Sequence, residues 1–155
     1  MTPEQDVPRV VSASREIAAS PGRIFELIAD PAVQPSWDAN DNLAWASEGQ
    51  RVRREGDVFK MTLTQGGVRE NHVVEFEEGR RIAWMPAEPG QERPGHLWRW
   101  ELEPVDETRT LVTHTYDWTG LPDDAPAVRL GRARSTTTDM LRASLDLLAA
   151  LAEEA

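Results

Sequence analysis

The segment RTLVTHTYDW places His114, Tyr116 and Trp118 at every second position, and HLWRWELEP does the same for His96, Trp98 and Trp100. Alternate residues of a strand share one face, so each run lines up rings that carry a polar tip on an apolar body. Imidazole is the side chain whose ordinary pKa, about 6.5, lets it take up or release a proton near neutral pH. A phenol beside it can donate a hydrogen bond or a proton. His114 and Tyr116 are therefore the candidate proton shuttle, with His72 or His96 available from a neighbouring strand.

Other chemistries find no support in the residues. The chain has no cysteine, which excludes thiolate nucleophiles and Cys-based zinc sites. Its three histidines fall on separate runs, without H-x-H or H-E-x-x-H spacing, so no metal site is expected. There is no G-x-S-x-G elbow, G-x-G-x-x-G turn or P-loop, and no cofactor is expected.

The same period-two reading extends to the other strand-like runs. It puts Phe59, Met61 and Leu63 on one face, then His72, Val74 and Phe76, then Ile82 and Trp84. Leu102 and Val112 join the two later runs on that face, and Arg99, Glu101 and Glu103 fall on the other. A face meant only for packing would use Leu, Ile, Val and Phe, which have no polar atom to satisfy. Six tryptophans against three phenylalanines point instead to an aromatic cavity wall with a few polar handles. The expected lining is Trp84, Trp98, Trp100, His114, Tyr116 and Trp118, with Phe59, Met61, His72, Phe76 and His96 beside them. Trp37, Asp139 and Ala143 are placed toward the cavity ends, and Arg132 with Asp139 at its mouth. Desolvation should lower the pKa of His114. The acidic surface should make His72 and His96, near strand starts, titrate above it.

At 155 residues with 39% apolar and 28% charged side chains, the chain reads as a globular domain over 9–153, after a polar tail at 1–8. A formal net charge of −10 disfavours nucleic acid as a partner. The start MTPEQDVPRV lacks the basic and apolar stretches of a signal peptide, and no run reaches the roughly 18 apolar residues of a membrane span. A cytoplasmic protein, monomeric or homodimeric, is expected.

The elements that must position these residues are legible from punctuation and period. RVVSASREI alternates as a strand. Ser20 then caps a helix that starts at Pro21 and stops before Pro31. About six short strands follow, joined by turns such as Gly66-Gly67 and Glu78-Gly79 that are too tight for parallel crossovers. Near the C-terminus the period changes: Leu141, Leu145, Leu148 and Ala152 make a helical stripe. That helix is expected to begin between Arg132 and Thr138, capped by Ser135, after a short turn around 127–130.

REIAASPGRIFELIADPAVQPSWD, the paired late strands and the terminal Leu-rich helix together resemble the START-like (SRPBCC, Bet v 1-like) superfamily, in its bacterial polyketide cyclase/dehydrase and lipid-transport branch. The resemblance runs from about Val10 to Leu151. It implies an α+β helix-grip fold, with an antiparallel sheet of six or seven strands around a long C-terminal helix and a deep hydrophobic cavity between them. It does not imply a reaction. The expected function is binding of a small hydrophobic ligand (aromatic, polyketide-like or lipid-like). A cofactor-independent cyclase or dehydratase using His114 and Tyr116 is the alternative, and a protein-interaction module the second.

Overall fold

The computed structural model describes residues 7–40 and 42–154. Most of the expected tail, residues 1–6, lies outside them. Val7 already packs against the core, so packed structure begins before Arg9.

Seven strands form one antiparallel sheet: β1 (Val10–Ile17), β2 (Leu43–Trp45), β3 (Val58–Leu63), β4 (Val68–Glu77), β5 (Arg81–Ala87), β6 (Leu97–Asp106) and β7 (Arg109–Asp117). Their order across the sheet is β1-β7-β6-β5-β4-β3-β2. Every pair from β2 to β7 is a sequence neighbour, with tight turns joining β3 to β4, β4 to β5 and β6 to β7, and β1 closes onto the last strand. Gly66 turns the β3–β4 hairpin with φ +99°, a region that glycine enters without steric cost.

Three helices cover the inner face. In α1 (Pro21–Ala29) the Ser20 hydroxyl accepts from the Arg23 amide, and Pro21 occupies the first helical position. Ile24, Phe25 and Ile28 are fully buried. Asp30 is extended ahead of Pro31, which stops the helix. A 3-10 turn at Gln34–Ser36 then delivers Trp37 to the interior.

The C-terminal segment differs from the sequence expectation. The stretch expected to hold only a short turn is a nine-residue helix, α2 (Ala127–Ser135), and the long helix α3 (Thr138–Ala152) is separate from it. Thr136 and Thr137 are extended between them, a state that β-branched side chains favour. Thr137, not Ser135, caps α3 by accepting from the Met140 amide, while the Ser135 hydroxyl donates back to Arg132 O. Leu141, Leu145 and Leu148 bury the stripe of α3 against β1 and β7. Arg23 of α1 donates to the carbonyls of Leu151, Ala152 and Glu154, which ties down the far end of α3.

The outer face is polar. Arg99 holds Glu75 through two hydrogen bonds of 2.7 and 2.9 Å, and Arg81 reaches Glu101. Among the described residues, no helix is long and apolar enough to cross a membrane.

Candidate functional site

The cross-strand register sets the inner wall. One row runs Ala13–His114–Trp100–Ile82, and the next runs Val11–Tyr116–Trp98–Trp84–Val73. Directly opposed residues share a face, so these rows bring four rings of β5 and β6–β7 together with His114. The His114 ring stacks on Trp100 at 3.7 Å between centroids and 11°, with Trp98 at 5.6 Å and 21°. Tyr116 packs on Trp98 at 4.4 Å, and Trp37 meets Trp100 edge-on at 5.1 Å.

Beside this wall lies a cavity of about 660 Å³, within the range of roughly 300–1,000 Å³ usual for small-molecule pockets. The sheet contributes Met61, Leu63, Arg69, Asn71, Trp84, Trp98, Trp100, His114 and Tyr116, with His96 just before β6. The helical side contributes Gln34, Trp37, Val128, Arg129, Arg132 and Met140. Exposed Val128, Arg132 and Glu88 mark its mouth.

The polar groups in this wall have defined states. His114 Nδ1 lies 3.0 Å from Arg99 O. A carbonyl only accepts, so Nδ1 carries the proton and Nε2 the lone pair. Burial pushes the imidazole down to about 4, against a smaller upward pull from that carbonyl, so the ring is neutral at pH 7. Burial pushes the Tyr116 phenol up to about 12, which keeps it protonated. The Trp100 indole N–H is fully enclosed and has no hydrogen-bond partner. A donor left in that state costs about 1–3 kcal/mol.

His96 departs from expectation. It too is lowered to about 4, first by burial and then by Arg129 and Arg69. Its neighbours are cations rather than the acidic surface, so it does not titrate above His114.

Six of the residues expected at the site lie elsewhere. His72 is on the outer face opposite exposed Val58, and its neighbours Asn71 and Val73 point inward. A bulge between Val73 and Glu75 restores the inward direction at Phe76. Phe76 packs on Phe25 beneath α1, away from the cavity. Phe59 is buried behind Trp84 at 5.3 Å. Trp118 is buried under the Arg9 guanidinium, 4.3 Å from its ring centroid. Asp139 and Ala143 are exposed, because α3 turns residues 141, 144, 145 and 148 inward and offers Met140 to the cavity. Arg132 does reach the mouth, but from α2 rather than the long helix.

Arg69, Asn71, Gln34, Arg129 and Met140 escaped the sequence reading. The tight β3–β4 turn carried the signal for two of them. It pairs Met61 with Arg69 and Phe59 with Asn71 across the hairpin, which fixes their face before the bulge intervenes.

Residues 8–153 match the family described as polyketide cyclase / dehydrase and lipid transport. The chain belongs to this family. A family relative is an uncharacterised protein of Mycobacterium tuberculosis, 25% identical over 122 residues that make up 72% of this chain and 48% of that one. The chain thus spans about half the length of the curated relatives it matches. Among solved structures, a Chromobacterium violaceum protein superposes with TM-score 0.65 at 20% identity, covering 96% of this chain and all of its own. A START superfamily protein of Mycobacterium smegmatis gives 0.64 at 18%, covering 94% and 98%. The Aha1 dimer of Colwellia psychrerythraea gives 0.60 at 19%, covering 93% and 96%. At these identities the superpositions establish the fold, a helix-grip arrangement of sheet and C-terminal helix.

Proposed function

We propose that this polyketide cyclase/dehydrase family member binds a small, largely apolar molecule with an aromatic, polyketide-like or lipid-like body in the cavity beneath α2. The observation that carries this reading is the cavity wall itself. It combines about 660 Å³ of space with a lining of rings that carry polar tips, the Tyr116 hydroxyl and the neutral His96 imidazole among them. Those tips can hydrogen-bond a ligand, and the ring faces supply stacking area. Native mass spectrometry of protein purified from its source tests this directly. A retained small molecule supports it, and a chain that carries none and takes up no apolar probe argues for an interaction module instead.

The alternative on the same residues is acid–base catalysis of the cyclase or dehydratase kind. A general base works best with a pKa near the operating pH. With His114 at about 4 and Tyr116 at about 12, both hold their protons where they are. That tuning suits hydrogen bonding to a ligand better than proton transfer, and it favours binding. Turnover of a candidate substrate that is abolished in His114→Ala and Tyr116→Phe would reverse this preference. Turnover unchanged by both would leave the shuttle without support.

A further inference from the structure

Resting on the cavity reading above, we propose that the ligand is an amphipathic acid: an apolar or aromatic body inside, and an anionic oxygen group held by Arg69 and Arg129. The chain carries a formal net charge of −10, so its surface as a whole repels anions. The cavity departs from that pattern. Arg69 reaches it from β4, and Arg129 and Arg132 reach it from α2. Arg9, Arg15, Arg51, Arg81, Arg99 and Arg109 each pair with a carboxylate. Among the described residues, none of the three cavity arginines does. Arg69 makes one side-chain hydrogen bond, from Nη1 to Val68 O at 3.1 Å, which leaves the rest of its fork unengaged.

Register puts the Arg69 side chain on the inner face, opposite buried Met61. Arg69 and Arg129 are only partly exposed, line the same cavity as His96, and both lower its pKa by their charge. Two carboxylates also line the cavity. Glu88 is exposed, and Asp38 accepts from the Asn42 amide at 3.3 Å. Among the described residues Glu88 forms no ion pair with the three arginines. A partly desolvated guanidinium without a counter-charge gains most when an anion arrives, and its fork matches an oxyanion. Neutral His96, pressed by the same cations, adds no carboxylate-like competitor. The ring wall of Trp84, Trp98 and Tyr116 then receives the body of the molecule.

The test uses two dyes with one ring system. The anionic dye 1-anilinonaphthalene-8-sulfonate and its uncharged counterpart N-phenyl-1-naphthylamine are titrated by fluorescence into the full chain, and each is competed against the other to establish a shared site. The sulfonate should bind more tightly, and Arg69→Gln and Arg129→Gln should each weaken it by about tenfold. The neutral dye should be unaffected by either change. Raising the salt concentration should weaken only the sulfonate. The two substitutions lie on different elements, so misfolding of one leaves the other as the test. Equal binding of both dyes, unchanged in the variants, overturns the acid inference while the cavity reading stands. Failure of both dyes to bind overturns the cavity reading as well.

Discussion

Along four adjacent strands the inner face changes chemistry, and the boundary cuts the row Phe76–Ile82–Trp100–His114 between Ile82 and Trp100. On one side of that boundary stand Phe76, Ile82, Leu102 and Val112, packed under α1 and α3 with Ile24, Phe25, Leu141 and Leu145. On the other stand Asn71 and Arg69, Trp84, Trp98 and Trp100, and His114 and Tyr116, facing the cavity. In β5, β6 and β7 the strands run without a bulge across the boundary, so there backbone geometry does not explain the change. The first half uses side chains with no polar atom and buries all of them but the partly exposed Phe76 fully or nearly so. The second uses rings with polar tips and leaves some of those tips without a protein partner. Stability is concentrated in the first half and the proposed ligand chemistry in the second.

The largest effect expected from this division is on stability. Leu145 is fully buried in the aliphatic half, and Leu145→Ala should cost about 2–5 kcal/mol. Met140 lies five residues earlier on the same helix but is half-buried at the cavity. Met140→Ala should cost under about 1 kcal/mol, because its site is already open to the cavity. Denaturant unfolding of the two variants measures the difference. Equal losses would mean that the cavity half holds the fold as firmly as the aliphatic half.

Acid sensitivity should divide the same way. His114 and His96 have folded pKa values of about 4, against about 6.5 in the unfolded chain. Between those values the unfolded chain binds protons that the folded chain refuses, so stability falls as pH drops from about 6.5 toward 4. Above that window the histidines contribute no pH dependence. For buried His114 the full loss is about 3 kcal/mol. The perturbed carboxylates act in the same direction, but at lower pH. Arg51 lowers Glu26 and Arg99 lowers Glu75, so their stabilisation is lost only in more acid solution. His114→Gln should flatten the stability curve through the window. An NMR titration that finds either imidazole protonated near pH 6.5 would place that ring in solvent and break the comparison.

The two halves also differ in how far they could be read from the sequence. β6 and β7 keep strict alternation through their cavity residues, and their aromatic faces are placed correctly from period alone. β4 does not, because the bulge at Val73/Glu75 shifts its phase. Reading back from Phe76 therefore turned His72 inward and hid Asn71 and Arg69. The helix pattern located α3 and its buried stripe, but its start depended on two threonines whose extended backbone no periodicity signals. Arg129 was unreadable for another reason. An arginine without a partner is defined by what surrounds it, and sequence spacing says nothing about that. The fold was thus legible nearly throughout, and the cavity wall only where the strands ran without interruption.

The smallest expected effect separates the halves most finely. Trp100 sits on the boundary, opposite Ile82 on one strand and His114 on the other. Its ring belongs to the packed core at 0% exposure, yet its N–H has no partner. Trp100→Phe removes that donor together with part of the ring. Losing the second ring costs packing and leaves a small void, while removing the unsatisfied N–H returns about 1–3 kcal/mol. The two terms oppose each other, so the free protein should change by no more than about 1 kcal/mol, far less than a ring truncation where the N–H is bonded. Trp37 is such a case, since its N–H donates to Leu27 O at 2.8 Å. Trp37→Phe orphans that carbonyl as well as shrinking the ring, and it should be the more damaging of the two. If unfolding experiments find Trp100→Phe the costlier, the indole N–H is satisfied in solution.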